Sequence, residues 1–231
     1  MKPVFVIDIN KCVGCRACEA ACTIEHGQYF IISRTGVGLP QYAKKRTVVL
    51  WEERDEPGRV GRRFVSYLCY HCEKTPCLEV CPTSATFKTP EGVVLVDKYK
   101  CVGCRYCIMA CPYGMRYMPS RAEVGEAEHG LEYLKDAKEG AKYGGVLFQP
   151  PVPNKWAVRL NVVDKCTFCY HRKEGDKLWT PACVEVCPTG SRMFGNLDDP
   201  NDPVAELVRS GKAKPARPSA GTGGLVCYVG L

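Results

Sequence analysis

The chain has 231 residues, 45% of them hydrophobic, with 17 cysteines and a formal charge of +7. That length allows one or two domains with a core of their own, which argues against the small secreted disulfide scaffold that so many cysteines would otherwise suggest. No stretch reaches the roughly 18 apolar residues of a membrane span, and no run of lysine and arginine interleaved with aromatics marks a nucleic-acid surface.

Val4 to Ile9 reads as a buried strand that follows Met1 almost directly, leaving no room for a signal peptide. A loop with Cys12 and Cys15 follows, and Ala17 to His26 is predicted to be a helix carrying Cys18 and Cys22 on one side. Residues 27–46 lack periodicity and contain Gly36, Gly38 and Pro40, the marks of a surface excursion. Thr47–Trp51 and Arg63–Leu68 read as strands flanking the turn signal Glu56-Pro57-Gly58, with Arg62 and Arg63 on a solvated face. A second cysteine set, Cys69, Cys72, Cys77 and Cys81, ends in a short helix that stops at Pro82.

Thr86–Lys88 and Val93–Asp97, around the turn Pro90-Glu91-Gly92, form a hairpin leading into a third set, Cys101, Cys104, Cys107 and Cys111. Residues 119–155 are richer in charge, glycine and proline, with a helix expected at Val124–Lys138; they read as an insertion facing a partner. Trp156–Val163 reads as a strand before the fourth set, Cys166, Cys169, Cys183 and Cys187. Pro203 opens a helix to about Arg209 with Asp202 as its cap. The tail after it, rich in glycine and proline, is expected to lie extended over a partner or the body.

Cys-Val-Gly-Cys-Arg stands in both the first and the third set. Three thiolates at intervals of three can turn inward from a loop coiled about a compact cluster, with the fourth one helical turn further on. Structural zinc pairs two Cys-x2-Cys motifs around one ion and has no use for a third cysteine at the same interval. Sixteen of the seventeen cysteines fall into four sets of four, matching four [4Fe–4S] clusters with four thiolates each. An oxidised four-thiolate cubane carries roughly −2, so four contribute about −8 and the loaded protein is near neutral.

An internal repeat indicates how the sets pair. Asp97-Lys98 precedes the third set as Asp8 and Lys11 precede the first, while Cys77–Thr83 of the second is echoed by Cys183–Thr189 of the fourth. Twenty positions separate Cys81 from Cys101, against 47 from Cys22 to Cys69 and 55 from Cys111 to Cys166. Sets two and three therefore form one module, and sets one and four close a second around it. The expected fold is α+β, two bacterial-ferredoxin-like modules, one nested within the other, with loop insertions. Residues 1–46 plus 156–200 make the outer module and 47–118 the inner one; 119–155 is the insertion and 201–231 the C-terminal helix and extended tail.

Over about residues 4–195, these sets in this order resemble the four-cluster electron-transfer subunit of the molybdopterin (dimethyl sulfoxide reductase) superfamily, as in polysulfide, thiosulfate, arsenate and dimethyl sulfoxide reductases. The resemblance implies that the fourth cysteine of each set crosses to the partner cluster, as in two-cluster ferredoxins. Carried over, one cluster takes Cys12, Cys15, Cys18 and Cys187, and a second takes Cys166, Cys169, Cys183 and Cys22. A third takes Cys69, Cys72, Cys77 and Cys111, and a fourth takes Cys101, Cys104, Cys107 and Cys81. Nitrate reductase relatives are similar but carry tryptophan where Cys104 stands, and hold a three-iron cluster there.

The same resemblance implies a non-catalytic electron-transfer subunit of anaerobic respiration, working between a molybdopterin (Mo or W) catalytic subunit and an integral membrane quinone-binding subunit. It also implies attachment to the membrane through partners, on the periplasmic face if a partner's twin-arginine signal carries the folded chain across; the alternative is the cytoplasm. Two other readings stay open: the iron–sulfur subunit of a hydrogenase or soluble formate dehydrogenase, and a free polyferredoxin. Thr23 departs from the pattern, standing where the other sets have proline, and Cys227 belongs to no set and reads as a buried or interface thiol. His71 and His171 read as outer donors or surface residues; Arg16 and Arg105 are either solvated or raise a cluster potential by their charge.

Overall fold

The computed structural model of the chain describes residues 1–26, 46–56, 59–119, 142–143, 146–147 and 161–231. In chain order they form β1 (Pro3–Asp8), α1 (Ala17–Glu25), β2 (Thr47–Glu56), β3 (Arg59–Leu68), α2 (Pro76–Glu79), β4 (Thr86–Lys88), β5 (Val94–Val96) and α3 (Tyr106–Met109). Two short strands, β6 (Lys142–Tyr143) and β7 (Val146–Leu147), precede α4 (Ala182–Glu185), β8 (Arg192–Asn196), α5 (Pro203–Arg209) and β9 (Val226–Val229).

β1 is the middle strand of a three-stranded sheet, with β8 antiparallel on one side and β9 parallel on the other. Phe5 and Ile7 enter the main core with Val65, Leu68, Leu95, Phe168 and Tyr228. Val4 and Val6 pack on the opposite face with Ala213, Cys227 and, from α5, Leu207 and Val208. Covered on both faces, the strand is apolar at every position from Val4 to Ile7 rather than alternating. Pro203 opens α5, and Asp202 accepts from the Val204 and Ala205 N–H groups at 2.7 and 3.0 Å, so the helix has its predicted cap.

β2 and β3 form one continuous hairpin, from Thr47 opposite Leu68 to Glu56 opposite Arg59. Both strands are longer than the apolar pattern predicts, because the charged stretch after Trp51 is paired across the ladder. Glu52 faces Arg63 and Glu53 faces Arg62; Arg63 lies 3.1 Å from Glu52 and Arg62 covers the Trp51 ring. β4 and β5 form the expected second hairpin. The strand expected over 156–163 is corrected where it is described: Asn161 has φ 59°, and residues 161–163 form a turn and bend. Val162 and Val163 are buried without a ladder, and pairing begins only with the bridge from Asp164 to Tyr117. The helix expected at Val124–Lys138 and all but the last residue of the 27–46 excursion lie outside the described residues.

The tail lies on the body: the Leu225 N–H donates to the Tyr70 carbonyl, the Phe5 N–H donates to the Leu225 carbonyl, and β9 then runs beside β1. Thr23 also finds its reason. α1 continues three residues past Cys22, with Thr23 Oγ1 donating to the Glu19 carbonyl, a stretch that proline would break. α2, α3 and α4 each end before the fourth cysteine of their set, where Pro82, Pro112 and Pro188 follow. No helix among the described residues is long and apolar enough to cross a membrane.

Candidate functional site

The cysteine loops coil because residues between the ligands adopt the left-handed conformation. In the two Cys-Val-Gly-Cys-Arg loops these are Gly14 and Arg16 (φ 70° and 59°), and Gly103 and Arg105 (φ 72° and 68°). At position 103 a side chain is excluded outright, since a Cβ would sit 2.4 Å from the Asn161 carbonyl oxygen. In sets two and four the position of that glycine is held instead by His71 (φ 47°) and Phe168 (φ 54°). Their rings lie 3.9 Å apart by centroids. The left-handed backbone at these two non-glycine positions thus brings the two loops into ring contact with each other.

Two cavities collect the cysteines of the inner sets. Cys101, Cys104, Cys107 and Cys81 line one of about 310 Å³ with Thr86, Val96 and Val163. Cys69, Cys72, Cys77 and Cys111 line another of about 340 Å³ with Tyr70, Val94 and Arg116; both volumes include space open to solvent. Each cavity takes three cysteines from one set and the fourth from the other. In the outer sets α1 packs on α4, and Cys22 is buried beside Cys169, Cys166 and Cys183. Cys18 neighbours Cys183 and Cys12. Cys15 is exposed and Cys187 stands one turn beyond Cys183, so the grouping of Cys12, Cys15, Cys18 and Cys187 rests on the α1–α4 packing.

Burial pushes several of these thiols up: Cys72 to about 11 and Cys166 to about 12, with Cys22, Cys18, Cys77, Cys107 and Cys169 also raised. Such sulfurs become thiolates only with cationic iron to share the charge. Cys81 and Cys187 differ. Burial raises them too, but donors surround each sulfur and the net shift is downward. The Thr86 N–H donates to Cys81 Sγ at 3.4 Å, and Thr83 and Thr189 hydroxyls lie 3.9 and 3.8 Å from Cys81 and Cys187.

Several charged residues that the motif left unread surround the cysteines. Asp164 accepts from Arg46 at 2.9 Å and from Lys98 at 2.7 Å, all three buried. Arg116 neighbours Cys77, Cys69 and Cys107, and Arg192 neighbours Cys183, Cys18 and Cys166. His26 Nε2 lies 3.7 Å from Cys169 Sγ, and burial, with Arg46 and His171 adding to it, pushes its pKa well down so that the ring is neutral. His171 and Arg172 both contact Glu25, at 2.7 and 2.5 Å. His71 is buried and accepts from the Val94 N–H at 3.0 Å through Nδ1. Arg16 and Arg105, the arginines the motif singles out, are exposed. Cys227 is buried beside Val4 and Val6, apart from every set.

These residues fit iron–sulfur clusters. The donors are thiols throughout, apolar walls and backbone N–H groups surround them, and buried cations offset the charge of a ligated cluster. Among the described residues no group of three or more His, Cys, Asp or Glu is arranged to hold a single metal ion; the cysteines ring cavities instead.

Comparison with known proteins agrees. Three models of the 4Fe-4S dicluster domain match residues 11–85, 60–129 and 100–192. The chain is 32% identical to a tetrathionate reductase subunit of Salmonella typhimurium, over 98% of this chain and 72% of that one. It is 33% identical to the arsenate respiratory reductase iron-sulfur subunit of a Shewanella species, over 99% and 96%. It is also 38% identical to Hdr-like menaquinol oxidoreductase iron-sulfur subunit 1 of Archaeoglobus fulgidus, over 98% and 82%. The protein is accordingly an electron-transfer subunit carrying multiple [4Fe–4S] clusters, and it works with the catalytic subunits of a reductase complex. With four cysteine sets, coiled ligand loops and relatives of this kind, the chain belongs to the iron–sulfur beta subunits of the molybdopterin (dimethyl sulfoxide reductase) superfamily.

Proposed function

We propose that the chain is a wire of four [4Fe–4S] clusters in two nested ferredoxin-like modules, with the crossed ligand sets given above. It links a molybdopterin (Mo or W) catalytic subunit to an integral membrane subunit that handles quinone. The observation that carries this reading is the gradient of burial along the sets. Cys15 and Cys104 are exposed, while Cys22, Cys166, Cys169 and Cys183, and Cys69, Cys72 and Cys77, are buried. A wire needs such an arrangement: two clusters at the surface to exchange electrons with neighbours and two inside to join them. The rings of His71, from one buried set, and Phe168, from the other, touch with centroids 3.9 Å apart.

When bound, the clusters supply reversible one-electron storage. The chain's residues hold them in line and exclude water from the middle. Val13 stands exposed next to Cys15's loop, and Val102, Tyr106 and Met109 stand exposed around Cys104; both ends thus present apolar surface suited to a protein partner. The name of the Archaeoglobus relative, which is that of a menaquinol oxidoreductase, supports a quinol-side partner. The complex sits on the extracytoplasmic face of the membrane, the chain being carried across folded by the catalytic partner.

The test is anaerobic purification of the tagged chain from its own membranes. Iron and sulfide of about sixteen each per chain, with molybdenum or tungsten and a polytopic membrane protein copurifying, are expected. A soluble monomer with full iron and no partner would point to a free carrier and overturn the reading. Deleting the partner's export signal should strand this chain in the cytoplasm.

A further inference from the structure

Arg116 and Arg192 occupy the same place in an internal repeat that the cysteine spacing alone conceals. Each stands five residues after the fourth cysteine of its set, in Cys111-Pro112-Tyr113-Gly114-Met115-Arg116 and Cys187-Pro188-Thr189-Gly190-Ser191-Arg192. Gly114 and Gly190 turn the two loops with nearly identical φ, 63° and 62°. Both guanidinium groups are buried, at 1% and 4% exposure.

Their hydrogen bonding is incomplete on the side of the cysteines. Arg116 Nη1 donates to Thr86 Oγ1 at 3.1 Å, but its Nε and Nη2 find no nitrogen or oxygen partner, and the Cys107 sulfur is the acceptor beside the guanidinium. It lines the cavity of Cys69, Cys72, Cys77 and Cys111, while Thr86 lines the cavity of Cys101, Cys104, Cys107 and Cys81. Arg192 Nη2 donates to Thr47 Oγ1 at 2.6 Å and to Ser66 Oγ, and its Nη1 finds no nitrogen or oxygen partner, with the Cys183 sulfur the acceptor beside the guanidinium. Its neighbours are Cys183 and Cys166 of one outer set and Cys18 of the other. A buried guanidinium left with free N–H groups is costly unless negative charge faces it.

We propose that Arg116 and Arg192 are paired tuning residues, each set between the two clusters of one module and raising the potentials of both. The proposal rests on the crossed ligand sets above. A fixed positive charge favours the more negative, reduced state of a neighbouring cluster, and N–H groups aimed at the sulfurs act in the same direction. Because one arginine serves two clusters, each module is tuned as a unit.

The test is redox titration of the intact complex followed by paramagnetic resonance, with each cluster assigned through cysteine-to-serine variants. An opposite charge beside a buried group biases its charged form by about one to three decades. Arg116→Met should therefore lower the reduced-to-oxidised ratio at fixed potential by about tenfold or more for both clusters of the inner module, and tenfold is about 59 mV for one electron. The outer module should be unmoved. Arg192→Met should give the mirror result, and Arg116→Lys should restore most of the shift where Arg116→Gln does not. Equal shifts in all four clusters, no shift, or equal behaviour of the Lys and Gln variants would overturn the proposal, as would loss of the inner clusters in the Lys variant. If instead Cys111→Ser perturbs a cluster other than that of Cys69, Cys72 and Cys77, the ligand reading fails, whatever the arginine variants do.

Discussion

Asp164 gives the sharpest test of how the body is held together. It is 1% exposed and accepts from Arg46 Nε at 2.9 Å, Lys98 Nζ at 2.7 Å and the Tyr117 hydroxyl at 3.3 Å. These partners come from before β2, from before the third cysteine set and from after it, so one carboxylate ties three distant segments to the residue preceding Lys165 and Cys166. Burial raises its pKa, but Arg46 and Lys98 outweigh burial and bring it from 3.8 down to about 2. That difference corresponds to about 2 kcal/mol of stability. The folded value lies below the unfolded one, so this stability is present above about pH 4 and is lost as pH falls through about 2.

Asp164→Asn at neutral pH goes further, because it leaves two cations buried without their anion. Breaking a buried ion pair by removing one partner costs about 3–5 kcal/mol. Burial already lowers the Lys98 pKa, and loss of its proton would relieve part of the cost, which places the effect near 3 kcal/mol. For a chain of this size that is a fall of about 6–12 °C in the unfolding midpoint. Anaerobic melting followed by circular dichroism and cluster absorbance would measure it. A midpoint within about 2 °C of the parent would refute the reasoning. Adding Lys98→Met to Asp164→Asn should recover part of the loss, since the pair is coupled.

Cys187→Ser should change the resonance of the cluster held by Cys12, Cys15 and Cys18 and leave that of Cys166, Cys169 and Cys183 with its ligands; an effect confined to its own set would end crossed ligation. Gly103→Ala forces a Cβ to within 2.4 Å of the Asn161 carbonyl at φ 72°, so iron per chain should fall by about one cluster's worth, about a quarter, and unchanged iron would contradict the close approach. Cys227→Ala should leave iron and sulfide unaltered and cost about 1 kcal/mol of stability or less, because the thiol packs as a small apolar group against Val4 and Val6; loss of iron would make it a ligand.

Iron ligation was legible because a cubane demands thiols at short fixed intervals, and the intervals are a property of the sequence. β1, α1, the β4–β5 hairpin and the Asp202 cap were legible for similarly local reasons: apolar runs, fourfold spacing, a turn triplet and an N-cap before proline. What stayed hidden depends on contacts between distant residues. The end of β2 was misjudged because Glu52 and Glu53 look like a break until Arg63 and Arg62 stand opposite them. The segment 161–163 looked like a strand because Val162 and Val163 are apolar, whereas their burial comes from packing in a turn. Arg116 and Arg192 carried a readable signal, their shared offset from a cysteine. Arg46 and His26 carried none, since their roles depend on Asp164 and Cys169, each more than a hundred positions away.

The central sheet also dictates a timetable. β1 is made well before its two neighbours, β8 and β9, which are separated from it by most of the chain. At 5–20 residues per second, the roughly 180 residues between β1 and β8 take about 10–40 s to synthesise. Throughout that interval Val4, Phe5, Val6 and Ile7 form an apolar strand with both edges open, a template for pairing with another nascent chain. The loop from Cys12 to Cys22 meanwhile waits for helix α4. The hairpins β2–β3 and β4–β5 and the eight cysteines of sets two and three are made by residue 119, but Val163, which completes the wall of one of their cavities, follows later. Closure of the sheet by β8 and β9 is the step that shields β1, and it waits until both have been made.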